Sequence, residues 1–259
     1  MIIEKEDRQD MILSILDEKN KIKVSALAKE LDFTPETIRR DLAELEEKEL
    51  LSRVHGGAVP FINRTKELAF QGKLDINREA KIAIAQEAVK RIKDGDVIGV
   101  DVGTTTFHLA DMIHGVEGIT VVTNSIAAAE RFNLALEEKR MTGKVLLLGG
   151  ITNPEQNSVA GAMTSDMLDR IKLDKAFLSS GGITRTAVYD YDIEESLVSY
   201  KMLSQSSQSI MLVDSSKVGV TSHFSICPLF MIDEIITDGP CPNEWEQDHV
   251  KEDLTWTIV

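Results

Sequence analysis

Apolar residues at the start of the chain recur with the spacing of two short helices. Between Asp7 and about Asn20 this spacing predicts an amphipathic helix. An alternating piece from Ile22 to Val24 then leads to Ser25, whose hydroxyl can cap a second helix of only two turns. Two helices are therefore predicted before residue 32.

The sequence Thr34-Pro35-Glu36 predicts the start of a third helix. It combines a capping hydroxyl, a proline where its missing N–H costs nothing, and an acid near the positive helix end. The predicted inward stripe is Ile38, Leu42 and Leu45. The predicted outward positions include Thr37, Arg39 and Arg40.

The segment SRVHGGAV, residues 52 to 59, alternates apolar and polar positions around Gly56-Gly57, as a small β wing would. Three helices and a wing predict a winged helix-turn-helix over residues 1–58, whose third helix can enter a DNA major groove. The alternative is a unit that makes only protein contacts.

Residues 59–76 show no sustained period and are predicted to be a linker. After them, a helix beginning at Asn77 has an apolar face predicted to consist of Ile82, Ala85, Val89 and Ile92. Residues 77–259 are predicted to form the second, larger domain.

Six continuous apolar runs of strand length follow, and each stops abruptly at glycines, acids or hydroxyls. They are residues 97–100, 120–122, 145–148, 176–178, 210–213 and 234–236. Helical segments alternate with them, near residues 107–113, 127–138 and 165–171. This order predicts an α/β domain with a doubly wound, mostly parallel sheet covered on both faces.

Ligands bind such sheets outside the carboxyl ends of the strands. After the first run comes Asp101, and then Gly103, Thr104, Thr105 and Thr106, which can offer amides and hydroxyls to a phosphate. The alternative is a tight turn whose threonines only cap a helix. The segment lacks the lysine of a P-loop and the glycine spacing of a dinucleotide site, so no ATP, NAD or other cofactor is expected.

Further candidates lie at the ends of the other runs. They are Asn124, Gly150, Gly181, Gly182 and Lys217. Lys217 can supply positive charge to a phosphate, or can be a solvated loop lysine. Asp192 and Glu195 belong to an acidic stretch that can bind sugar hydroxyls, or can be a solvated face.

Charge complicates the DNA-binding interpretation. The 259 residues carry a formal net charge of −14, and residues 1–57 hold ten Lys and Arg against fourteen Asp and Glu. DNA affinity must therefore come from local clustering, for which Arg39, Arg40, Arg53 and His55 are placed close together. Ser25 and Thr34 are further candidate DNA contacts.

Other functional classes are disfavoured by the composition. No apolar stretch approaches the roughly 20 residues of a membrane helix, and the charged N-terminus is unlike a signal peptide, so a cytoplasmic protein is expected. Cys227 and Cys241 lack a CxxC spacing or a histidine cluster, which gives no sign of a disulfide framework or a metal site.

Motifs along nearly the whole chain resemble the DeoR family of bacterial sugar-metabolism regulators. The most specific combination is TIRRDL at 37–42 with HGGA at 55–58, and VDVGTTT, VVTNS, LSSGGI and MLVDSSK follow downstream. The resemblance implies a winged-helix DNA reader joined to a sensor resembling ribose-5-phosphate isomerase, in a family whose members usually answer to a phosphorylated sugar and are mostly repressors.

The resemblance also implies roles for particular residues. It places DNA contact on Thr37, Arg39 and Arg40, and wing contact on Arg53 and His55. It places effector contact on Asp101, Gly103 to Thr106, Asn124, Gly181, Glu195 and Lys217. The chain departs from the family pattern at Glu49, where glycine is usual, and at Ser199-Tyr200, where a basic pair is usual.

The leading hypothesis is a repressor that binds double-stranded operator DNA as a homo-oligomer, a dimer or a tetramer, because paired recognition helices read more bases than one. The rival is a sugar-phosphate isomerase with Asp192 or Glu195 as the base and Lys217 as the phosphate anchor.

Overall fold

The computed structural model describes residues 5–19, 22–48, 50–54, 56–60, 67–246 and 254–259. The chain divides into two compact units, residues 1–67 and residues 68–259. Among the described residues, no helix combines the length and the apolar character that crossing a bilayer requires.

The N-terminal unit is a three-helix core with a small antiparallel sheet. Its elements are α1 (Lys5–Lys19), β1 (Ile22–Lys23), α2 (Val24–Glu30), α3 (Pro35–Glu47), β2 (Leu51–Val54) and β3 (Gly57–Pro60). The strands lie in the order β1-β3-β2, so β2 and β3 form the predicted wing. The stripe predicted for α3 is buried as expected, with Ile38, Leu42 and Leu45 at most 1% exposed.

The predicted cap of the second helix is wrong. Helix α2 begins at Val24, its N-cap position is Lys23, and no side chain caps it. The Val24 N–H instead donates to the Gly56 carbonyl at 2.9 Å, so the wing satisfies the backbone where the helix starts. Ser25 is consequently an exposed residue in the first turn of α2.

The second unit contains the remaining elements. In its first half these are α4 (Phe70–Leu74), α5 (Arg78–Ala88), β4 (Val97–Val100), α6 (Thr104–Phe107), α7 (Leu109–Met112), β5 (Val116–Thr123), α8 (Ile126–Glu137) and β6 (Met141–Leu147). In its second half they are β7 (Ile151–Asn153), β8 (Ser158–Ala160), α9 (Ala162–Leu168), β9 (Leu173–Leu178), β10 (Gly182–Ile183), β11 (Ala187–Asp190), α10 (Ile193–Ser204), β12 (Ser206–Leu212), β13 (Phe224–Pro228), β14 (Glu234–Thr237), α11 (Asn243–Glu246) and β15 (Thr255–Ile258).

A seven-stranded parallel sheet forms the centre of this unit, in the order β15-β14-β12-β9-β4-β5-β6. All six predicted strands belong to it, which confirms the predicted α/β architecture. Helices cover both faces: Ile84 of α5 and Phe132 of α8 pack on one face, and Val198 and Met202 of α10 pack on the other.

Several short elements have no counterpart in the prediction. They include the hairpin of β7 with β8 and a second antiparallel sheet in the order β10-β11-β13. The segment predicted as a linker also contains structure, since β3 extends to Pro60 and helix α4 occupies Phe70–Leu74. Helix α4 therefore belongs to the second unit, which begins at Leu68.

Candidate functional site

The solvent-facing side of α3 carries two guanidinium groups. Arg39 and Arg40 are both exposed. The Arg39 guanidinium lies 3.4 Å from the Glu36 carboxylate, in a pair that is open to water on both sides. Arg40 forms no hydrogen bond or ion pair with any residue that the structure describes. Both guanidinium groups are thus accessible to an external anion such as a DNA phosphate.

The start of α3 is fixed by its predicted cap. The Thr37 N–H donates to Thr34 Oγ1 at 3.2 Å, the two threonine hydroxyls lie 2.9 Å apart, and Pro35 occupies the first turn. This hydrogen bonding holds the first turn of α3 in helical geometry. The Thr34 side chain is exposed and that of Thr37 is half-buried, so both lie beside the arginines without being part of the core.

Basic residues of α1 neutralise acids of α3. Arg8 binds the carboxylate of Asp41, and Lys5 and Gln9 bind that of Glu44. The hydrogen bond from the Lys5 ammonium is the main cause that lowers the pKa of Glu44. These pairings offset part of the negative charge of α3, which leaves Arg39 and Arg40 as its exposed cations.

The wing supplies one further cation. Arg53 on β2 is exposed. Its backbone N–H donates to Glu46 Oε1 at 2.8 Å, and its guanidinium group lies 3.9 Å from the same carboxylate. Two other positions named from the sequence, His55 and Glu49, lie outside the residues that the structure describes. Of the predicted DNA-contacting cations, the structure therefore describes Arg39, Arg40 and Arg53, and all three are exposed.

The second candidate site lies where the topology of the parallel sheet reverses. After β4 the chain adds β5 and β6 on one side, and then returns to add β9 on the other side of β4. The loop following β4 and the loop following β9 meet there: a Cβ built on Gly103 would lie 2.2 Å from the Ser179 hydroxyl. Only glycine permits this approach, at the place where α/β sheets bind ligands.

Asp101 is a buried carboxyl group in this loop, only 1% exposed. One oxygen accepts from the Ser199 hydroxyl at 2.6 Å, and the other accepts from the Val102 N–H at 2.9 Å. Burial raises the pKa of Asp101 to about 7 and the nearby Asp190 adds to the rise, while the Ser199 and Val102 hydrogen bonds oppose it. Ser199, one of the two positions at which the chain departs from the family pattern, thus supplies a hydroxyl donor to Asp101.

Asn124 follows β5 and is completely buried beside this loop. Its Oδ1 accepts from the Val102 N–H at 2.9 Å, which ties the ends of β4 and β5 together. Its amide also favours the ionised form of Asp101 and so lowers the pKa of that group. The Nδ2 donor is buried near this carboxyl group but makes no hydrogen bond of normal geometry to a described residue.

The three threonines of the loop divide into two kinds. The Thr106 hydroxyl donates to the Asp101 carbonyl at 2.7 Å, with the Gly103 carbonyl 3.0 Å away, so it holds the loop together. The hydroxyls of Thr104 and Thr105 make no hydrogen bond to any described residue. These two are the better candidates for contact with a ligand.

The predicted glycines serve close packing within the protein. A Cβ on Gly150 would lie 2.2 Å from the Thr164 hydroxyl, one on Gly181 would lie 2.7 Å from the Tyr191 ring, and one on Gly182 would lie 2.5 Å from the Val220 carbonyl. Each glycine therefore allows two segments to meet next to the sheet edge. Their role in the structure is to shape the site.

Asp192 and Glu195 occupy the first turn of α10. The Asp192 carboxylate caps the helix by accepting the Glu195 N–H at 2.9 Å. Glu195 is only 4% exposed, and its Oε1 accepts from the Ser158 hydroxyl at 2.5 Å and from Asn153 at 3.3 Å. These contacts connect α10 to the hairpin of β7 with β8.

Lysine side chains converge on the opposite side of the same loops. The Lys217 ammonium donates to the Ser180 carbonyl at 2.5 Å, next to the Ser179 that touches Gly103. Lys81, near the start of α5, is 3% exposed and donates to the Lys73 carbonyl at 2.5 Å. The pKa of Lys81 is lowered to about 8, mainly by burial and also by the positive charges of Lys217 and Lys73. The negative charges of Asp214 and Asp75 oppose this shift. We call Lys73, Lys81 and Lys217 the lysine cluster.

Sequence reasoning missed Lys81, although a signal was present. The buried face of α5 consists of Lys81, Ile84, Ala85 and Ala88. The predicted face is confirmed at Ala85 and Ile92, which are buried, and is displaced by about one residue at Ile82 and Val89, which are only half-buried. A lysine at helical spacing within an apolar stripe is expensive to bury without a partner, and that pattern marks it as a candidate functional residue.

The described residues contain no group of three or more His, Cys, Asp or Glu side chains placed to hold a metal ion. The groups that converge at the sheet edge are instead ammonium groups, hydroxyls, amides and carboxyls. Such a set can bind an anion at the lysine cluster and hydroxyl groups at the carboxyls.

Two family models match this chain. The model of the DeoR-like helix-turn-helix domain matches residues 8–64, and the model of the DeoR C terminal sensor domain matches residues 76–239. Together they include α3, the wing and the edge of the parallel sheet.

Known proteins are similar over most of the chain. An HTH-type transcriptional regulator of Staphylococcus epidermidis is 39% identical over 82% of this chain and 83% of its own length. A lactose phosphotransferase system repressor of the same species is 34% identical over 91% of this chain and 92% of its own. An L-fucose operon activator of Haemophilus influenzae is 31% identical over 95% of this chain and 97% of its own length.

Solved structures are similar at lower levels. Ribose 5-phosphate isomerase A of Methanocaldococcus jannaschii is 20% identical, with 55% of each chain covered and a TM-score of 0.36. The sorbitol operon regulator SorC of Klebsiella pneumoniae is 15% identical, with 81% of this chain and 88% of that chain covered and a TM-score of 0.36.

Proposed function

This chain belongs to the DeoR family of transcriptional regulators and is not an enzyme, and we propose that it represses a sugar-utilisation operon under the control of a phosphorylated sugar. Helix α3 and the wing bind operator DNA, and the loops at the sheet edge bind the effector. The sequence-based limits are residues 1–58 for DNA binding, 59–76 for the connection and 77–259 for sensing; we propose that the DNA-binding part includes β3 up to Pro60 and that the sensing part begins with α4.

The effector proposal depends mainly on one observation, the burial of the Lys81 ammonium group beside two other lysines. Burial is the main cause that lowers the pKa of this ammonium group, and Lys217 and Lys73 lower it further, although Asp214 and Asp75 oppose the shift. A phosphate dianion placed among them supplies the missing negative charge and strong charge-assisted hydrogen bonds. The hydroxyls of Thr104 and Thr105 and the amides of the same loop are the further phosphate ligands that we propose.

The sugar end of the effector is assigned to the polar groups on the other side of the loops. Asp101, Asp192 and Glu195 supply carboxyl oxygens, and Asn124 supplies the Nδ2 donor that has no partner among the described residues. Gly150, Gly181 and Gly182 allow the segments around these groups to pack closely. These groups suit the hydroxyls of a sugar, which both donate and accept hydrogen bonds.

On the DNA side we assign phosphate contacts to Arg39, Arg40 and Arg53. We assign Ser25, Thr34 and Thr37, and His55 of the wing, to the same surface. A homo-oligomer, a dimer or a tetramer, is proposed because two α3 helices read two half-sites. Repression is favoured by relatives named as lactose phosphotransferase system repressors, although another relative is named as an activator. The isomerase alternative is not favoured, because the similar full-length proteins are named as regulators.

A two-step experiment tests this function. A thermal-shift screen of ribose 5-phosphate, fructose 1-phosphate, fructose 6-phosphate and galactose 6-phosphate, with the unphosphorylated sugars as controls, identifies ligands of the native state. A duplex selected for binding from a random pool is then titrated with and without the hit. We expect one sugar phosphate to raise the melting temperature and to weaken DNA binding at least fivefold.

The matched variant is Lys81→Met, which removes the ammonium group and keeps the length of an apolar stem. It is expected to lose the response to the sugar phosphate while it retains DNA binding. If no sugar phosphate changed either the melting temperature or the DNA affinity of the wild-type protein, the proposed effector class would be wrong.

A further inference from the structure

We propose that helix α4 is the element that transmits effector binding toward the DNA-binding unit, by being released when the anion takes the Lys81 ammonium group. This inference rests on the proposed function and specifies how the same site is regulated. Helix α4 is the first helix of the second unit and follows the segment that joins the two units.

Several described contacts of α4 lead to the candidate effector site. The Phe70 N–H donates to the Glu155 carbonyl at 2.8 Å, and Gln156 Nε2 donates to the Leu68 carbonyl at 3.1 Å. The Lys73 ammonium donates to Gln156 Oε1 at 2.8 Å. Glu155 and Gln156 lie in the turn between β7 and β8, the hairpin whose Ser158 binds Glu195. The turn therefore connects α4 to the carboxyl side of the site.

A second contact reaches the loop after β4. The Phe70 ring is 1% exposed and meets the Phe107 ring edge to face, with 5.7 Å between the ring centres. Phe107 ends helix α6, which begins directly after Gly103. A displacement of the Gly103 loop thus acts directly on the only aromatic anchor of α4 among the described contacts.

The third contact is the one that an anion disrupts. The Lys81 ammonium donates to the Lys73 carbonyl at 2.5 Å, in the last turn of α4. A phosphate oxygen is a stronger acceptor than a neutral carbonyl for an ammonium group. An anion bound among these lysines pulls the Lys81 ammonium group toward itself, which weakens the hydrogen bond to the Lys73 carbonyl, and it draws the Lys73 ammonium group away from Gln156.

Helix α4 cannot keep its structure without these contacts. It has five residues, one of which is Gly72, and a helix of that length is unstable by itself. The state with α4 packed and the state with α4 released therefore bind the anion with different affinities. Such a difference in affinity allows a ligand to shift the equilibrium between two states. The chain that α4 anchors continues from Leu68 into the connection with the DNA-binding unit.

The test compares the wild-type protein with Gln156→Ala, which removes the hydrogen bonds to Leu68 and Lys73 and leaves all three lysines of the cluster in the sequence. Gln86→Ala, at an exposed position of α5, is the matched control. The measured quantity is the ratio of DNA dissociation constants with and without the sugar phosphate found in the screen. We expect this ratio to be at least five in the wild type and in Gln86→Ala, and less than two in Gln156→Ala. The Gln156→Ala protein should still bind the sugar phosphate in a thermal-shift assay.

Hydrogen exchange of the intact protein gives an independent measurement that does not need a variant. Amides of residues 68–74 are expected to exchange faster when the sugar phosphate is bound. A Gln156→Ala protein with the wild-type ratio, or unchanged or slower exchange in residues 68–74, would overturn the inference about α4. A wild-type protein that responds to no sugar phosphate would instead refute the proposed function, so the two failures are distinguishable.

Discussion

Arg8 in α1 and Asp41 in α3 form a buried, two-pronged ion pair. The Arg8 Nε donates to Asp41 Oδ2 at 2.5 Å and its Nη2 donates to Oδ1 at 3.0 Å, while the guanidinium lies 4.6 Å from the centre of the Phe33 ring. Asp41 is fully buried, so the pair fixes α3 relative to the rest of the N-terminal core. The aspartate that follows the two arginines of TIRRDL is therefore a structural residue.

Asp41→Ala is expected to destabilise the N-terminal unit by about 3–5 kcal/mol, because it leaves the Arg8 guanidinium buried without its partner. Denaturant unfolding followed by a probe in residues 1–67 measures this change. The control is Glu30→Ala, which breaks an exposed pair with Lys19 and should cost less than about 1 kcal/mol. Equal effects of the two substitutions would show that the buried pair does not position α3.

Arg40→Ala is expected to weaken binding to every DNA sequence by a similar factor. The Arg40 guanidinium is exposed and makes no ion pair with a described residue, so a phosphate can be its partner. The slope of log affinity against log salt concentration should fall by about 1. Arg170→Ala, at an exposed position of the second unit, serves as the control. An unchanged salt slope in Arg40→Ala would remove this contact from the interface.

Binding of a phosphate-bearing effector is expected to weaken as the pH rises through about 8. The reason is that the pKa of Lys81 is lowered to about 8, so its ammonium group loses its proton over a range where an exposed lysine keeps it. Calorimetric titrations between pH 7 and 9.5 measure this dependence. Lys81→Arg remains charged throughout and should have a flatter profile. A wild-type profile as flat as that of Lys81→Arg would contradict the prediction.

Asp101→Asn is expected to make the second unit more stable above pH 7 and to change little below pH 4. Burial raises the pKa of Asp101 to about 7, so the folded wild-type protein favours the neutral carboxyl group. This contribution to the free energy of unfolding is complete below the pKa of an unfolded aspartate and is lost as the pH rises through 7. The loss is at most about 4 kcal/mol for a shift of roughly three units. Melting temperatures from pH 4 to 8 test this, and a variant with the same pH dependence as the wild type would refute it.

The sequence predicted the parallel sheet well because its strands are buried on both faces. Runs such as residues 97–100 and 210–213 are continuously apolar, and that pattern does not depend on distant contacts. The cap of α3 was equally predictable, because Thr34 and Pro35 act within one turn. In contrast, the cap of α2 depends on a contact between Val24 and Gly56, which lies 32 residues away in sequence.

The candidate site was only partly predictable, for a physical reason. Gly103 and Asp101 follow a strand directly and could be placed at the sheet edge from the strand pattern alone. Lys81 reaches that edge from a helix, so finding it required the exact rotation of α5, which the periodicity gave with an error of one residue. The strands β10 and β11 have two and four residues, too few to establish an alternating pattern.

The excess of acids over bases has a consequence for how the protein searches a chromosome. A molecule with a formal net charge of −14 is repelled by the phosphates of DNA in orientations that do not present its cations. Random stretches of duplex therefore retain few copies, and a larger fraction of the molecules in a cell stays available for the operator. A small number of cations thus favours the operator over other DNA sequences, while it lowers the affinity for DNA of every sequence.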